Sequence, residues 1–317
     1  MRVERFTSAA RGLWDGFVRD SKNGTFLFLR DYMDYHQDRF EDYSLIVGEE
    51  GRLPIALLPA SRRGEVLESH GGLTYGGVVC DPSMTASTML EVFAALLDHL
   101  RRESFTLLRY RAVPHIYHRA PAEEDLYALA RYGARLLHRA ALSVLDARHP
   151  VEPQTRRRRG TRKALTAGLT CRESDDLEAY WALLTATLRE TYGARPVHSL
   201  DEIALLRSRF PHNIRLFGCF QDATLVAGAL VYETSMVARA QYIAASEAGK
   251  RLSALDLLFE ILLREVFPEK PYFDFGTSES ADGLDLNRGV LEYKESLGAR
   301  TVAQDTYELP ISTGAPL

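Results

Sequence analysis

The order of apolar and polar stretches occurs twice along this chain, and an internal duplication constrains the fold more than any single motif. In the first half, "YSLIVGEEGRLPIALLPA" predicts a strand, a turn at Glu49-Glu50-Gly51 and a second strand. "GEVLESH" is a third strand, followed by the loop "GGLTYGG". The helix "STMLEVFAALLDHLRRE" places Leu90, Phe93, Leu97 and Leu100 on one face. The strand "FTLLRYR", the helix "AEEDLYALARYGAR" and the strand "LLHRAALSVLD" complete the unit. In the second half, "IRLFGCFQDATLVAGALVYE" is a hairpin turning at Gln221-Asp222, and "ARAQYIAAS" is the third strand. The helix "SALDLLFEILLREVF" opens at Ser253, with Asp256 spaced as a capping-box partner. The strand "YFDFG", the helix "LNRGVLEYKESLGAR" and the strand "TVAQDTYEL" follow. Both last helices stop at Gly-Ala-Arg, Gly133 to Arg135 and Gly298 to Arg300, glycine being the usual helix stop. The chain reads as two α/β units of one fold, 1–150 and 151–317, with the boundary between about Ala147 and Gly160.

Composition sets the outer limits. A chain of 317 residues has room for two domains, and 46% hydrophobic with 26% charged residues is a globular composition rather than a disordered one. A net charge of −4 argues against duplex DNA as the main partner but leaves room for a local basic site. Cys80, Cys171 and Cys219 lack metal-ligand spacing and read as free thiols in a reducing compartment. "MRVERFTSAARGLW" lacks the apolar core of a signal peptide, and no run has membrane-spanning length, so a cytoplasmic protein without a resident metal is expected.

The chemistry is concentrated near the C-terminus, in "YFDFGTSESADGLDLNRGVLEYKESLGAR". A buried strand carrying Asp274 leads into a polar loop and then a helix carrying Lys294. Asp-Phe-Gly also occurs in protein kinases, but nothing here resembles their catalytic loop, and "HGGLTYGG" lacks the GxGxxG spacing.

Hairpin, third strand, helix, strand, helix, strand resembles the GNAT acyltransferase fold, and two copies in tandem resemble the FemABX-like family. The stretches "DYMDYHQDRFEDYSLIV", "SHGGLTYGGVV", "VPHIYHRAPAEEDLYAL", "PVHSLDEIALL" and "FGTSESADGLDLNRGVLEYKESLGAR" are similar to GNAT-like proteins of bacterial cell-surface polysaccharide gene clusters. No long heptad run corresponds to the FemABX coiled-coil arm, which puts docking of a large RNA in doubt. The resemblance implies acyl or aminoacyl transfer to an amine. The donor is then an acyl-CoA or, alternatively, an aminoacyl-tRNA. The acceptor is an amino sugar on a nucleotide or lipid carrier. Such chemistry needs a neutral amine, stabilisation of a tetrahedral oxyanion and a seat for donor phosphates.

Lys294 matches the family's lysine, which implies charge stabilisation at the reacting carbonyl or the donor phosphate. As an ordinary helix lysine it would pair with Glu295 or Glu292. Asp274 either accepts the amine's proton, orients a neighbour, or bonds loop amides structurally. Ser278 and Asn287 flank the loop and bind substrate or cap the helix. His70, Thr74 and Tyr75 lie in the glycine-rich "HGGLTYGG", which is either a ligand loop or a tight bulge. "RYRAVPHIYHR" gathers Arg109, Arg111, His115 and Tyr117 (with His118) after a buried strand, where α/β sheets bind ligands. In "RRRRGTRKAL", Arg157 and Arg159 are candidates for RNA, a diphosphate or CoA, although charge runs are usually solvated faces. "YGARPVHS" offers Tyr192 and His198. "SEAGKRLSAL" stands where simple GNAT enzymes cradle the CoA pyrophosphate, so Gly249, Lys250 and Ser253 are the cofactor candidates, though the glycine-rich signature is incomplete. No cysteine or Ser-His-Asp arrangement suggests a covalent nucleophile. A non-catalytic glycan- or partner-binding module is the remaining alternative.

Overall fold

The computed structural model describes residues 1–69, 71–279 and 285–311. The chain divides into two compact units, Met1–Ala140 with Ala303–Leu317, and Ala141–Val302. The first unit runs β1 (Arg2–Arg5), α1 (Arg11–Asp20), α2 (Arg30–Met33), β2 (Glu41–Asp42), β3 (Leu45–Gly48), β4 (Ala56–Leu58), β5 (Ser61–Arg63), β6 (Val66–Glu68) and β7 (Val79–Cys80). It continues through α3 (Ala86–Arg102), β8 (Leu107–Arg111), α4 (Glu124–Arg131) and the start of β9 (Arg135–Asp146). Strands β1, β3, β4 and β7 form one antiparallel sheet. In the other, β2, β5 and β6 are antiparallel neighbours and β6 pairs parallel with β8. Thr85 caps α3 by accepting from Thr88 N–H at 3.2 Å, and Phe93, Leu97 and Leu100 enter the core as the periodicity requires. Met89, Val92 and Leu96 join them, while Leu90 is only partly buried.

The second unit follows with α5 (Thr155–Thr166), β10 (Thr170–Glu173), α6 (Leu177–Tyr192), α7 (Leu200–Arg209), β11 (Ile214–Gln221), β12 (Thr224–Glu233) and β13 (Val237–Ala245). Then come α8 (Glu247–Leu252), α9 (Ala254–Ile261), β14 (Tyr272–Thr277), α10 (Arg288–Ser296) and the first residues of β15 (Arg300–Pro310), whose remainder from Ala303 belongs to the first unit. Strands β10 to β13 are antiparallel in sequence order, β13 pairs parallel with β14, and β14 pairs antiparallel with β9. The C-terminal part of β15 pairs with β8 of the first unit, Thr306 opposite Arg111 through Pro310 opposite Leu107. The expected hairpin turn is present, with Asp222 in the left-handed region at φ 53°. Gly133 and Gly298, at φ 77° and 104°, stop the two last helices.

Both units therefore contain the same device, an antiparallel strand followed through a helical crossover by a parallel partner. In each unit that parallel ladder has three rungs. In the first they are Val66/Leu107, Leu67/Leu108 and Glu68/Arg109. In the second they are Val237/Tyr272, Ala238/Phe273 and Arg239/Asp274. The third rung is an ion pair both times, with the signs exchanged. Among the described residues no helix is long and apolar enough to cross a membrane.

The cysteines depart from the sequence expectation. Cys171 on β10 and Cys219 on β11 are register partners and form a disulfide, while Cys80 stays free and buried. Their separation of 48 residues hides a pairing that only the strand register creates. The free-thiol argument for a reducing compartment therefore falls away. Denatured but unreduced protein should accept one alkyl label, and reduced protein all three. Reductant should also lower the melting temperature, because such a cross-link typically contributes about 2–4 kcal/mol. Cys171→Ser should abolish that response.

Candidate active site

The second unit's sheet opens where its parallel ladder stops. β13 runs on from Arg239 to Ala245 without a partner on β14 among the described residues. The last rung is the ion pair of Arg239 with Asp274, whose carboxylate is fully buried. The other Asp274 oxygen accepts from Gly276 N–H at 2.6 Å. Both carboxylate oxygens are thus engaged, and the geometry gives Asp274 an orienting part rather than free contact with solvent. Gly276 has φ 71°, and a Cβ there would sit 3.2 Å from an Arg239 terminal nitrogen, so glycine suits both the turn and the guanidinium beside it.

Lys294 closes this arrangement from α10. Its ammonium donates to Thr277 O at 2.6 Å and Gly276 O at 3.2 Å. The side chain is only 5% exposed. Desolvation lowers its pKa from the ordinary lysine value to about 8, Asp274 opposing and Arg239 assisting that shift. Neither Glu292 nor Glu295 is its partner. Two of its three ammonium donors are used among the described residues. Ser278 follows on the same turn, buried, with its hydroxyl unpartnered among the described residues. Asn287 caps α10 by accepting from Val290 N–H at 3.0 Å, and its own N–H reaches Ser278 O at 2.8 Å. Asn287 thus pins the ends of the loop and performs the capping alternative.

A second feature lies at the head of α9. A cleft of about 470 Å³ is lined by Arg156, Arg157, Arg159 and Lys163 from α5, by Gly249, Lys250 and Ser253–Asp256, and by Tyr293 from α10. Two glycines build it. A Cβ at Gly160 would meet an Asp256 carboxylate oxygen at 1.9 Å, and one at Gly249 would meet Val226 O at 2.2 Å. Gly249 therefore has a packing reason to be glycine whatever it binds. Ser253 sits in the left-handed region at φ 60° between α8 and α9, and its side chain makes no cap bond, so the expected capping box is absent. Asp256 instead pairs with Arg157 at 2.7 Å and accepts from the Tyr293 hydroxyl at 3.3 Å. Burial raises its carboxyl pKa and Arg157 opposes the rise. Lys250 is exposed and pairs with Glu247 at 2.7 Å. Arg158, Arg159, Arg162 and Lys163 have no acidic partner among the described residues.

Most of the other candidates have partners of their own. In the first unit, Tyr75 and Tyr117 are core residues packed ring to ring at 4.7 Å, Tyr75 donating to Thr25 at 3.1 Å. Arg109 is held by Glu68 at 2.9 Å and Glu308 at 3.0 Å. Arg111 donates to Thr306 at 3.5 Å, Thr74 accepts from Gln304 through its carbonyl at 3.1 Å, and His115 is exposed in a 3-10 turn. His70 and the Tyr192 side chain lie outside the described residues. His198 is buried, with Nδ1 2.6 Å from the Tyr242 hydroxyl. The first unit also lacks the lysine: the residue four before its stop glycine is the buried Leu129, where the second unit has Lys294. Sequence reasoning missed Arg239, Gly160, Tyr293 and the Asp256 pairing. An arginine inside the apolar strand "ARAQYIAAS" was the available signal for the first.

Residues 154–295 match the family model described as an acetyltransferase (GNAT) domain. The sequence matches no curated protein. The fold is similar to the crystal structure of FemX, with TM-score 0.70 and 12% identity over 98% of this chain and 97% of that one. It is similar to a structure described as the C-terminal domain of a lysylphosphatidylglycerol synthetase from Agrobacterium fabrum, with TM-score 0.60 and 12% identity over 95% and 92%. It is also similar to a tandem GNAT protein from the clavulanic acid biosynthesis pathway, with TM-score 0.54 and 14% identity over 99% of both chains.

The depressed Lys294 pKa makes a stability prediction with a definite sign. Between about pH 8 and the unfolded lysine value near 10.5, the unfolded chain binds the extra proton, so stability contributed at this site rises with pH. The cost of burying the charged amine is fully present below about 8 and relieved above that window. The melting temperature of Lys294→Met relative to the parent should fall as pH rises through it. A flat difference would mean Lys294 titrates normally.

Proposed function

We propose that this chain, a tandem GNAT-fold acyltransferase, moves an acyl group from a CoA thioester to the amine of an amino sugar in a cell-envelope polysaccharide precursor, using the second unit. The observation that carries this reading is the pairing of two features on one helix. α10 offers Tyr293 to the cationic cleft and Lys294 to the carbonyls beside the open sheet edge. In this reading the cleft seats the donor phosphates on α9's first amides and on Arg159 and Lys163. The unpaired edge of β13 then receives the amide-bearing arm that leads to the thioester.

The neutral acceptor nitrogen attacks the acyl carbon directly. The C–N bond forms, the C–S bond breaks, and the proton lost by nitrogen ends on the thiol. Lys294 faces the negative charge that develops on the carbonyl oxygen or the leaving sulfur, where a desolvated ammonium is most effective. Asp274 acts through Arg239 and Gly276, holding the turn. Ser278, whose hydroxyl has no partner among the described residues, is the group available to the acceptor.

An aminoacyl-tRNA donor is the second reading. What favours it is the set of four cations on α5 without acidic partners among the described residues, of which Arg158 and Arg162 lie outside the cleft lining. The overall charge of −4 and the cleft's small-molecule size favour a diphosphate instead. The two readings differ in salt dependence. Neutralising many phosphates makes binding fall steeply with ionic strength, so tRNA binding that is tight at low salt and collapses at moderate salt would overturn the first reading. For the acyl-CoA reaction, Lys294→Met should reduce turnover on the order of 10²-fold while leaving KM nearly unchanged. Lys294→Arg should rescue poorly, since a planar guanidinium does not replace a compact ammonium. Full turnover in Lys294→Met would remove the lysine from the mechanism.

A further inference from the structure

Arg239 stands on the last rung of the second unit's parallel ladder, beyond which β13 runs on without a partner on β14 among the described residues. Its guanidinium is only 14% exposed and spans to a carboxylate with no exposure at all. On its other side, Nε donates to Gln241 Oε1 at 3.1 Å, which anchors the side chain along β13. Asp274 passes the constraint on by accepting from Gly276 N–H, and the Gly276 and Thr277 carbonyls accept from Lys294. The connection is continuous: guanidinium, carboxylate, backbone amide, backbone carbonyl, ammonium.

We infer that Arg239 is a positioning residue for Lys294, fixing through Asp274 the Gly276–Thr277 turn whose carbonyls hold the ammonium. The inference rests on the reading of Lys294 as the reacting cation. The first unit supplies an internal comparison. Glu68 and Arg109 form the equivalent rung, and Arg109 also binds Glu308. There the rung is coupled to no amine on the following helix, because Leu129 stands where the lysine would be. The ion pair is thus common to both units, whereas its coupling to an amine belongs to the second alone.

Among the described residues, the charged groups that face Lys294 from neighbouring strands are Asp274 on β14 and Arg239 on β13. On its own helix, Tyr293 turns to Asp256 and Glu295 is exposed. Arg239 disfavours the charged amine and Asp274 favours it. The two can therefore be removed separately, with opposite effects on the lysine.

The test is competitive trace acetylation of the full chain with acetic anhydride across neutral to alkaline pH, with labelling at Lys294 read by mass spectrometry. The parent should show a midpoint near about 8. Arg239→Met should raise it by about one unit, a tenfold loss of neutral amine at a given pH. Arg239→Lys, which keeps the charge, should restore most of the shift. Asp274→Asn should move the midpoint the other way, and it carries the test alone if Arg239→Met does not fold. A midpoint unchanged in every folded variant would overturn the inference and leave Arg239 as a counter-ion only. Lys294→Met in the turnover assay separates the two claims: undiminished turnover there defeats the catalytic reading even if the labelling midpoints move as stated.

Discussion

The second unit is organised around a parallel ladder that stops after three rungs. Parallel pairing requires a crossover, here supplied by α8 and α9, and the last rung is charged rather than apolar. A fully buried carboxylate is costly unless it is paired and hydrogen-bonded, and Asp274 has both Arg239 and the Gly276 amide. That requirement fixes the guanidinium, sets the left-handed turn at Gly276 and aims two carbonyls at Lys294. The same constraint explains why β13 has an edge without a partner on β14 beyond Arg239. Backbone groups that do not find a strand must find water or a ligand.

The two units share this architecture and differ in what it holds. Glu68 and Arg109 end the first ladder as Arg239 and Asp274 end the second. Only the second has a lysine on the following helix, where the first has Leu129, and only the second carries the run Arg156 to Arg159, on α5. Close helix packing then brings these features together, since Gly160 lets α5 approach Asp256 and Gly249 lets α8 approach Val226. Consecutive residues on α10 serve both places. Tyr293 reaches the cleft, and Lys294, about 100° further round the helix, reaches the turn.

Much of this was legible in the sequence because it depends on local pattern. The repeated element order, the hairpin turn at Asp222 and the stops at Gly133 and Gly298 follow from periodicity and glycine. Lys294 and the segment at Ser253 were legible as candidates through the family resemblance, Asp274 by its place on a strand before a polar loop, and Arg157 by its charge run. What could not be read depends on partners distant in sequence. Asp256 looks like a cap from its spacing, but tertiary pairing with Arg157 wins, and Ser253 leaves its cap unmade. Cys171 and Cys219 meet only through strand register. The loop positions of Tyr75 and Tyr117 suit ligand contact, yet each buries its ring against the other in the first unit's core. Arg109 reads from sequence as a phosphate binder, but Glu68 and Glu308 pair with it in the fold.

The central claim is that the second unit seats a small phosphate-bearing acyl donor beside Lys294. Thermal denaturation of the intact chain with acetyl-CoA, nucleotide sugars and charged tRNA tests this most directly. A specific donor at a hundred times its dissociation constant stabilises the fold by roughly 2.7 kcal/mol. Acetyl-CoA should raise the melting temperature of the parent, and Arg159→Ala combined with Lys163→Ala should lose that gain without a lower unliganded melting temperature. Stabilisation by charged tRNA alone, or a response to acetyl-CoA that survives in the double variant, would contradict the assignment of the cleft.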